Sequence, residues 1–221
     1  MRHIFVWMIA SVPMLSAATA AADDFSTATL KGAYGFTGSA ACLVAPGSGT
    51  SPTGPYPNAG FNSSFQPVDP ATAFSNSFSV EGIRTFNGSG SGTVKATSVS
   101  VGPPPTPSGP GLPSFPPDAS SDSFSYDFTY TVNADGSWTS AMVAGSFSGK
   151  FLTGPRTGQT YSIDQIPPVD GLIEEGALTL IGAHITTAVE TVTYSNGNVW
   201  PRVCHRSRVF IKLAPPRRLG P

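Results

Sequence analysis

Residues 124–132 read Phe124-Ser125-Tyr126-Asp127-Phe128-Thr129-Tyr130-Thr131-Val132. Every even position is aromatic or apolar and every odd one is small or polar. A period of two marks an antiparallel strand with one face on a core and the other in water. Asn133-Ala134-Asp135-Gly136 follows as a turn, and Trp138–Met142 starts the return strand, so the stretch is one arm of a β-hairpin.

The same logic extends in both directions. A second hairpin runs Phe78–Phe86, then a turn at Asn87–Gly92 rich in residues that tolerate positive φ, then Thr93–Val101. Further strands are expected at Ala33–Leu43, Phe147–Leu152, Tyr161–Ile166, Leu172–Ile181, Ile185–Tyr194 and Val203–Leu213. The total is eight to ten, depending on whether residues 137–152 form one strand bent at Gly145. Gly, Pro and Asn clusters separate the strands. The sequence therefore predicts an all-β domain, an antiparallel up-and-down β-barrel, with a two-sheet β-sandwich as the alternative. The barrel is favoured because closing the sheet removes its exposed edges.

Composition agrees. The 221 residues suit one domain, and only 11% are charged. Ser (28) and Thr (22) carry the polarity, while Gly (24) and Pro (22) disfavour a helical bundle. The near balance of 12 basic and 13 acidic residues argues against a nucleic-acid binder.

Residues 1–22 have the three-part layout of a signal peptide. Arg2 and His3 come first, Ile4–Leu15 is apolar, and Ala18-Thr19-Ala20 and Ala20-Ala21-Ala22 offer small-residue cleavage sites. No later stretch reaches the length of a transmembrane helix. A secreted or periplasmic location follows, and there the two cysteines, Cys42 and Cys204, are expected to form one disulfide. It would close a loop of about 163 residues and contribute about 5 kcal/mol in the chain-entropy limit. The domain is expected to span residues 23–213, with Gly/Pro/Ser-rich loops at 44–77 and 102–122 and a disordered tail at 214–221. In an up-and-down order both loops leave at one mouth of the barrel, and they are candidates for function.

No catalytic motif stands out, and the Cys and His spacing supports neither a metal site nor a cofactor. His184 falls at a turn, where exposure is expected. In the last strand Val203, His205, Ser207, Val209, Ile211 and Leu213 share a face, which would turn His205 into the barrel near its mouth. Arg206, Arg208 and Lys212 would then form a solvated outer face. His205 is the one candidate for catalysis. Arg84 shares the register of Phe78, Val80 and Phe86, so it either turns inward or is flipped out by a bulge at Gly82. The facing of Glu190 is ambiguous. Candidate ligand-lining residues are Arg84, Phe124, Tyr126, Phe128, Tyr130 and His205.

Leu30-Lys31-Gly32-Ala33-Tyr34-Gly35-Phe36-Thr37-Gly38 and Arg84-Thr85-Phe86-Asn87-Gly88-Ser89-Gly90-Ser91-Gly92-Thr93-Val94 resemble segments of secreted bacterial β-barrel proteins of lipocalin-like and allene-oxide-cyclase-barrel-like form. That group is largely uncharacterised. The resemblance implies a secreted barrel and brings no catalytic residues with it. The function expected is non-catalytic binding of a small apolar or amphipathic ligand. Two alternatives stand beside it: an envelope interaction or structural protein using the Pro-rich loops, and a barrel isomerase or hydrolase using His205.

Overall fold

The computed structural model describes residues 25–48, 57–102 and 118–214. The signal-peptide reading of residues 1–22 and most of the tail lie outside them. Eleven strands form a single antiparallel sheet: β1 (Lys31–Val44), β2 (Phe74–Asn87), β3 (Ser91–Gly102), β4 (Asp118–Val132), β5 (Ser137–Met142), β6 (Ser148–Phe151), β7 (Thr160–Ile163), β8 (Val169–Ile173), β9 (Thr179–Ala183), β10 (Val189–Tyr194) and β11 (Val199–Lys212). β1 pairs with both β2 and β11, which closes the sheet into a ring. No helix among the described residues is long and apolar enough to cross a membrane.

The ring has eight staves. Five are the long strands β1, β2, β3, β4 and β11. Each of the other three is a pair of short strands set end to end. β5 and β6 both lie along β4, β8 and β7 continue the ring from them, and β9 and β10 both lie along β11. The path of the chain is thus up-and-down, as the alternation predicted, and the sandwich is excluded. Residues 137–152 are one interrupted stave, bent where Gly145 takes φ +74°. Leu172–Ile181, expected as one strand, is instead a hairpin. Ile173 ends β8, Thr179 begins β9, and Leu172 pairs with Ile181 across the turn. The apolar character of that stretch concealed the turn at Glu174-Glu175-Gly176, where Gly176 has φ +82°.

The connections after β1, β3, β6 and β10 leave at one end, here called the upper end. Those after β2, β4 and β8 leave at the lower end. The strand ends that bound both long connections, residues 45–73 and 103–117, therefore lie at the upper mouth, and the connections are somewhat shorter than their composition indicated. Residues 103–117 and 49–56 lie outside the described residues.

The lower half of the barrel is solid. Tyr34, Phe86, Phe128, Tyr130, Trp138, Leu180 and Phe210 are all at most 4% exposed. Tyr34, Phe128 and Tyr130 meet the Phe86 ring at centroid distances of 5.3, 5.2 and 5.0 Å, the first and last steeply edge-on, a favoured aromatic geometry. The chain before β1 closes the floor. The Tyr130 hydroxyl donates to Leu30 O at 2.8 Å and accepts from Gly88 N at 2.9 Å. Candidates Phe128 and Tyr130 thus belong to a packed core and not to a pocket.

Trp138 fits because the strands beside it lack side chains. A Cβ at Gly171 would lie 2.6 Å from Trp138 Nε1, and one at Gly182 would lie 3.0 Å from its Cζ2. Gly171→Ala should lower stability by about 1–3 kcal/mol, because a core without voids absorbs an added methyl only by distortion. Equilibrium urea denaturation reads the change, and an unaltered midpoint would contradict this account of the packing.

Candidate functional site

The upper half is hollow. A cavity of about 200 Å³ opens among β2, β3, β4, β6, β7, β10 and β11 at the mouth end. That is the space of roughly seven liquid waters, small beside most drug-sized pockets. One wall is flat and aromatic. Phe147 stacks on Phe124 (5.4 Å, 17°) and on Tyr126 (6.0 Å, 15°), and Tyr161 packs against Phe147 at 5.5 Å. Tyr194, 6.2 Å from Tyr161, and Trp200, 5.1 Å further on, continue the aromatic lining toward β11.

The base is charged, and it is built by the last strand. The inward residues of β11 are Cys204, Arg206, Arg208 and Phe210, all buried, while His205 is exposed on the outer face. This reverses the expected facing. Val209 and Ile211 lie outside, 43% and 60% exposed. The reason is register. Cys204 stands opposite Cys42, with which it forms the expected disulfide, and Phe210 opposite Phe36. Those two pairs commit the even face of β11 to the interior. The same register sets Arg206 against Ala40 and Arg208 against Gly38. A Cβ at Gly38 would come within 2.7 Å of Arg208 Cγ, so the small residues of β1 make the room that the guanidinium stems occupy.

Other charges also turn inward. Glu190, of ambiguous facing in the sequence, is 1% exposed. Its Oε1 accepts from Arg202 Nε at 2.5 Å and from Arg206 Nη2, and it lies 3.4 Å from Cys204 Sγ. Burial alone would raise the Glu190 pKa, but Arg202 and Arg206 outweigh it and bring it down to about 2. His184, expected at an exposed turn, is 7% exposed, and its Nδ1 lies 3.2 Å from Arg206 Nη1. An arginine only donates, so Nδ1 is the acceptor and the neutral ring carries its proton on Nε2. Burial, with Arg206 and Arg208 close by, lowers the His184 pKa to about 3.

Arg84 turns inward as its register implied. No bulge flips it: the β1–β2 ladder runs unbroken through Phe36↔Gly82 and Tyr34↔Arg84. Its guanidinium lies 3.8 Å from the centre of the Phe128 ring and donates to Ser140 Oγ at 2.5 Å. It sits beneath the cavity and does not line it. Burial and repulsion from Arg208 lower its pKa to about 10, so it remains charged at neutral pH. Asp122 sits higher on the wall, where its oxygens accept from Ser98 Oγ (2.9 Å) and Tyr161 Oη (3.0 Å). Burial raises its pKa in spite of these two bonds.

Of the six sequence candidates, Phe124 and Tyr126 line the cavity, Arg84, Phe128 and Tyr130 lie below it, and His205 is outside. Arg206, Arg208, Glu190 and His184 were missed. The signal was present for β11, since Cys204 and Phe210 share the parity of the arginines. Among the described residues no three His, Cys, Asp or Glu side chains converge as a metal site. No protein-family model, curated protein or solved structure matches this chain.

The His184 environment has a consequence for acid stability. Between pH 6.5 and 3 the unfolded chain takes up a proton that the folded chain refuses. Stability therefore falls as pH drops through this window, by up to about 1.4 kcal/mol per pH unit. The Glu190 contribution is fully present above pH 4.5 and is lost between 4.5 and about 2. From pH 5 to 6.5 the Glu190 contribution is constant and Asp122, with its raised pKa, acts in the opposite sense, so a rise in stability there belongs to His184, and His184→Gln should flatten it in urea titrations. An equal slope in both proteins would show that folding leaves the His184 pKa unshifted.

Proposed function

We propose that this protein is a secreted or periplasmic barrel that binds a small amphipathic molecule in its upper cavity, without chemistry. The observation that carries the reading is the division of the interior. The lower half is packed to exclusion, while the upper half leaves about 200 Å³ beside a flat aromatic wall and open to the mouth. A barrel that served only as a scaffold would gain stability by filling that space, because unfilled volume forfeits packing. Stacked rings and a few polar groups at one end are the usual furniture of a small-molecule site. The Cys42–Cys204 bond suits an oxidising compartment. The hydrolase or isomerase alternative loses the residue it rested on, since His205 faces away from the cavity.

Native mass spectrometry of unreduced protein exported by a bacterial host tests the reading. The expected result is a mass above that of the bare oxidised chain, lost on denaturation, from a molecule small enough for the cavity. Past the signal segment the chain has two tryptophans, Trp138 in the solid half and Trp200 on the cavity rim. A bare mass, together with no change in Trp200 emission on adding 1-octanol, would overturn the proposal.

A further inference from the structure

The interior holds more positive than negative charge, and the excess faces the cavity. Five guanidinium groups, those of Arg84, Arg156, Arg202, Arg206 and Arg208, share it with the carboxylates of Glu190 and Asp122; Arg156 lies over the Phe151 ring and donates to Tyr194 Oη at 3.0 Å. Glu190 is committed to Arg202 and Arg206. Asp122 is bound to two neutral hydroxyls. Arg84 rests on the Phe128 face and on Ser140, out of reach of the cavity. Arg208 is different. It is 7% exposed, lines the cavity, and its Nε has no hydrogen-bond partner. Its polar contact is Nη1 to Tyr126 Oη, at a long 3.5 Å. A buried guanidinium costs several kcal/mol unless an anion or a full set of acceptors meets it.

Resting on the cavity-binding reading above, we infer that the ligand is an anion: a small amphipathic carboxylate whose head lies on Arg208 and Tyr126 and whose apolar body runs along the Phe124–Phe147–Tyr161 wall. Arg202, Arg206 and Arg208 all line the cavity while one carboxylate, Glu190, answers the first two, so positive charge is left over at its base for an anionic head to neutralise. The planar fork of a guanidinium fits a carboxylate in two parallel bonds. The Tyr126 hydroxyl, 3.5 Å from Arg208, is placed to donate to the same head. The site is also prepared for its arginine, because Gly38 stands where any side chain would displace the Arg208 stem. At the Tyr126 hydroxyl the positive charges prevail. Burial would raise the Tyr126 pKa, yet Arg208 and Arg84 outweigh it and pull it below the usual phenol value. A cationic ligand would meet repulsion, and a neutral one would leave Arg208 unpaired and cut off from water.

The test titrates the oxidised mature chain at pH 7 with octanoate, 1-octanol and octylammonium, by calorimetry and Trp200 fluorescence. Octanoate should bind at least about tenfold more tightly than octanol, and octylammonium most weakly, since one charge-assisted pair exceeds 1.4 kcal/mol. Arg208→Met keeps the stem and removes the charge. It should abolish the preference for octanoate and leave octanol binding in place. The wild-type ratio decides the matter even if that variant fails to fold. Octanol binding as tightly as octanoate, or a preference that survives Arg208→Met, would overturn the anion assignment and leave cavity binding standing. No binding by any of the three would bring down the cavity reading, and this inference with it.

Discussion

The antiparallel ladder between β1 and β11, from Tyr34↔Lys212 to Val44↔Arg202, is the constraint on which the rest of the barrel depends. It closes the ring, so no stave is left as an edge. It also decides which side of the last strand sees the interior. With strict alternation, a slip of one residue would send every side chain of β11 to the opposite face. Cys42 against Cys204 and Phe36 against Phe210 hold the register at two heights, one by a covalent bond and one by ring packing at 5.6 Å.

The cost of that register is unusual. It gives the solvent Val209 and Ile211 and gives the interior Arg206 and Arg208. Burying charges in a barrel is tolerable only where each finds a partner or a neutral cradle. Three solutions are used side by side. Glu190 answers Arg202 and Arg206, the aromatic faces around Phe128 answer Arg84, and Tyr126 answers Arg208 in part. Arg202, Arg206 and Arg208 all line the cavity, and of the three Arg208 is the least completely matched.

Small residues carry as much of the design as large ones. Gly171 and Gly182 admit Trp138 to the solid half, Gly149 yields to the Tyr161 ring, and Gly38 yields to Arg208. These glycines on regular strands act by absence of volume, a different role from that of Gly145 or Gly176, whose positive φ bends or turns the chain. The interrupted staves follow the same economy. The breaks at residues 143–147 and 184–188 bring Phe147 to the aromatic wall and His184 to Arg206, positions that an unbroken ladder would not supply.

Much of this could be read from the chain itself. Alternation at residues 124–132 and 78–101 establishes the strands, their hairpins and an all-β closed sheet, because side-chain facing on a strand is a local property with a period of two. Two cysteines, the only pair among the 221 residues, make the disulfide legible, because nothing else is available to pair with either. What alternation cannot supply is its phase where both faces carry apolar residues. On β11, Val203, Val209 and Ile211 compete with Cys204 and Phe210, and local hydrophobicity chose the wrong face. At Leu172–Ile181 the apolar residues on both sides of Glu174-Glu175-Gly176 outweighed the turn signal of those three, and His184 enters the interior through a break between two short strands. Phase, burial of charge and the site itself depend on which residues stand opposite across the ring, such as Gly38 with Arg208. Only the tertiary closure brings those together, since they lie 170 positions apart in the chain.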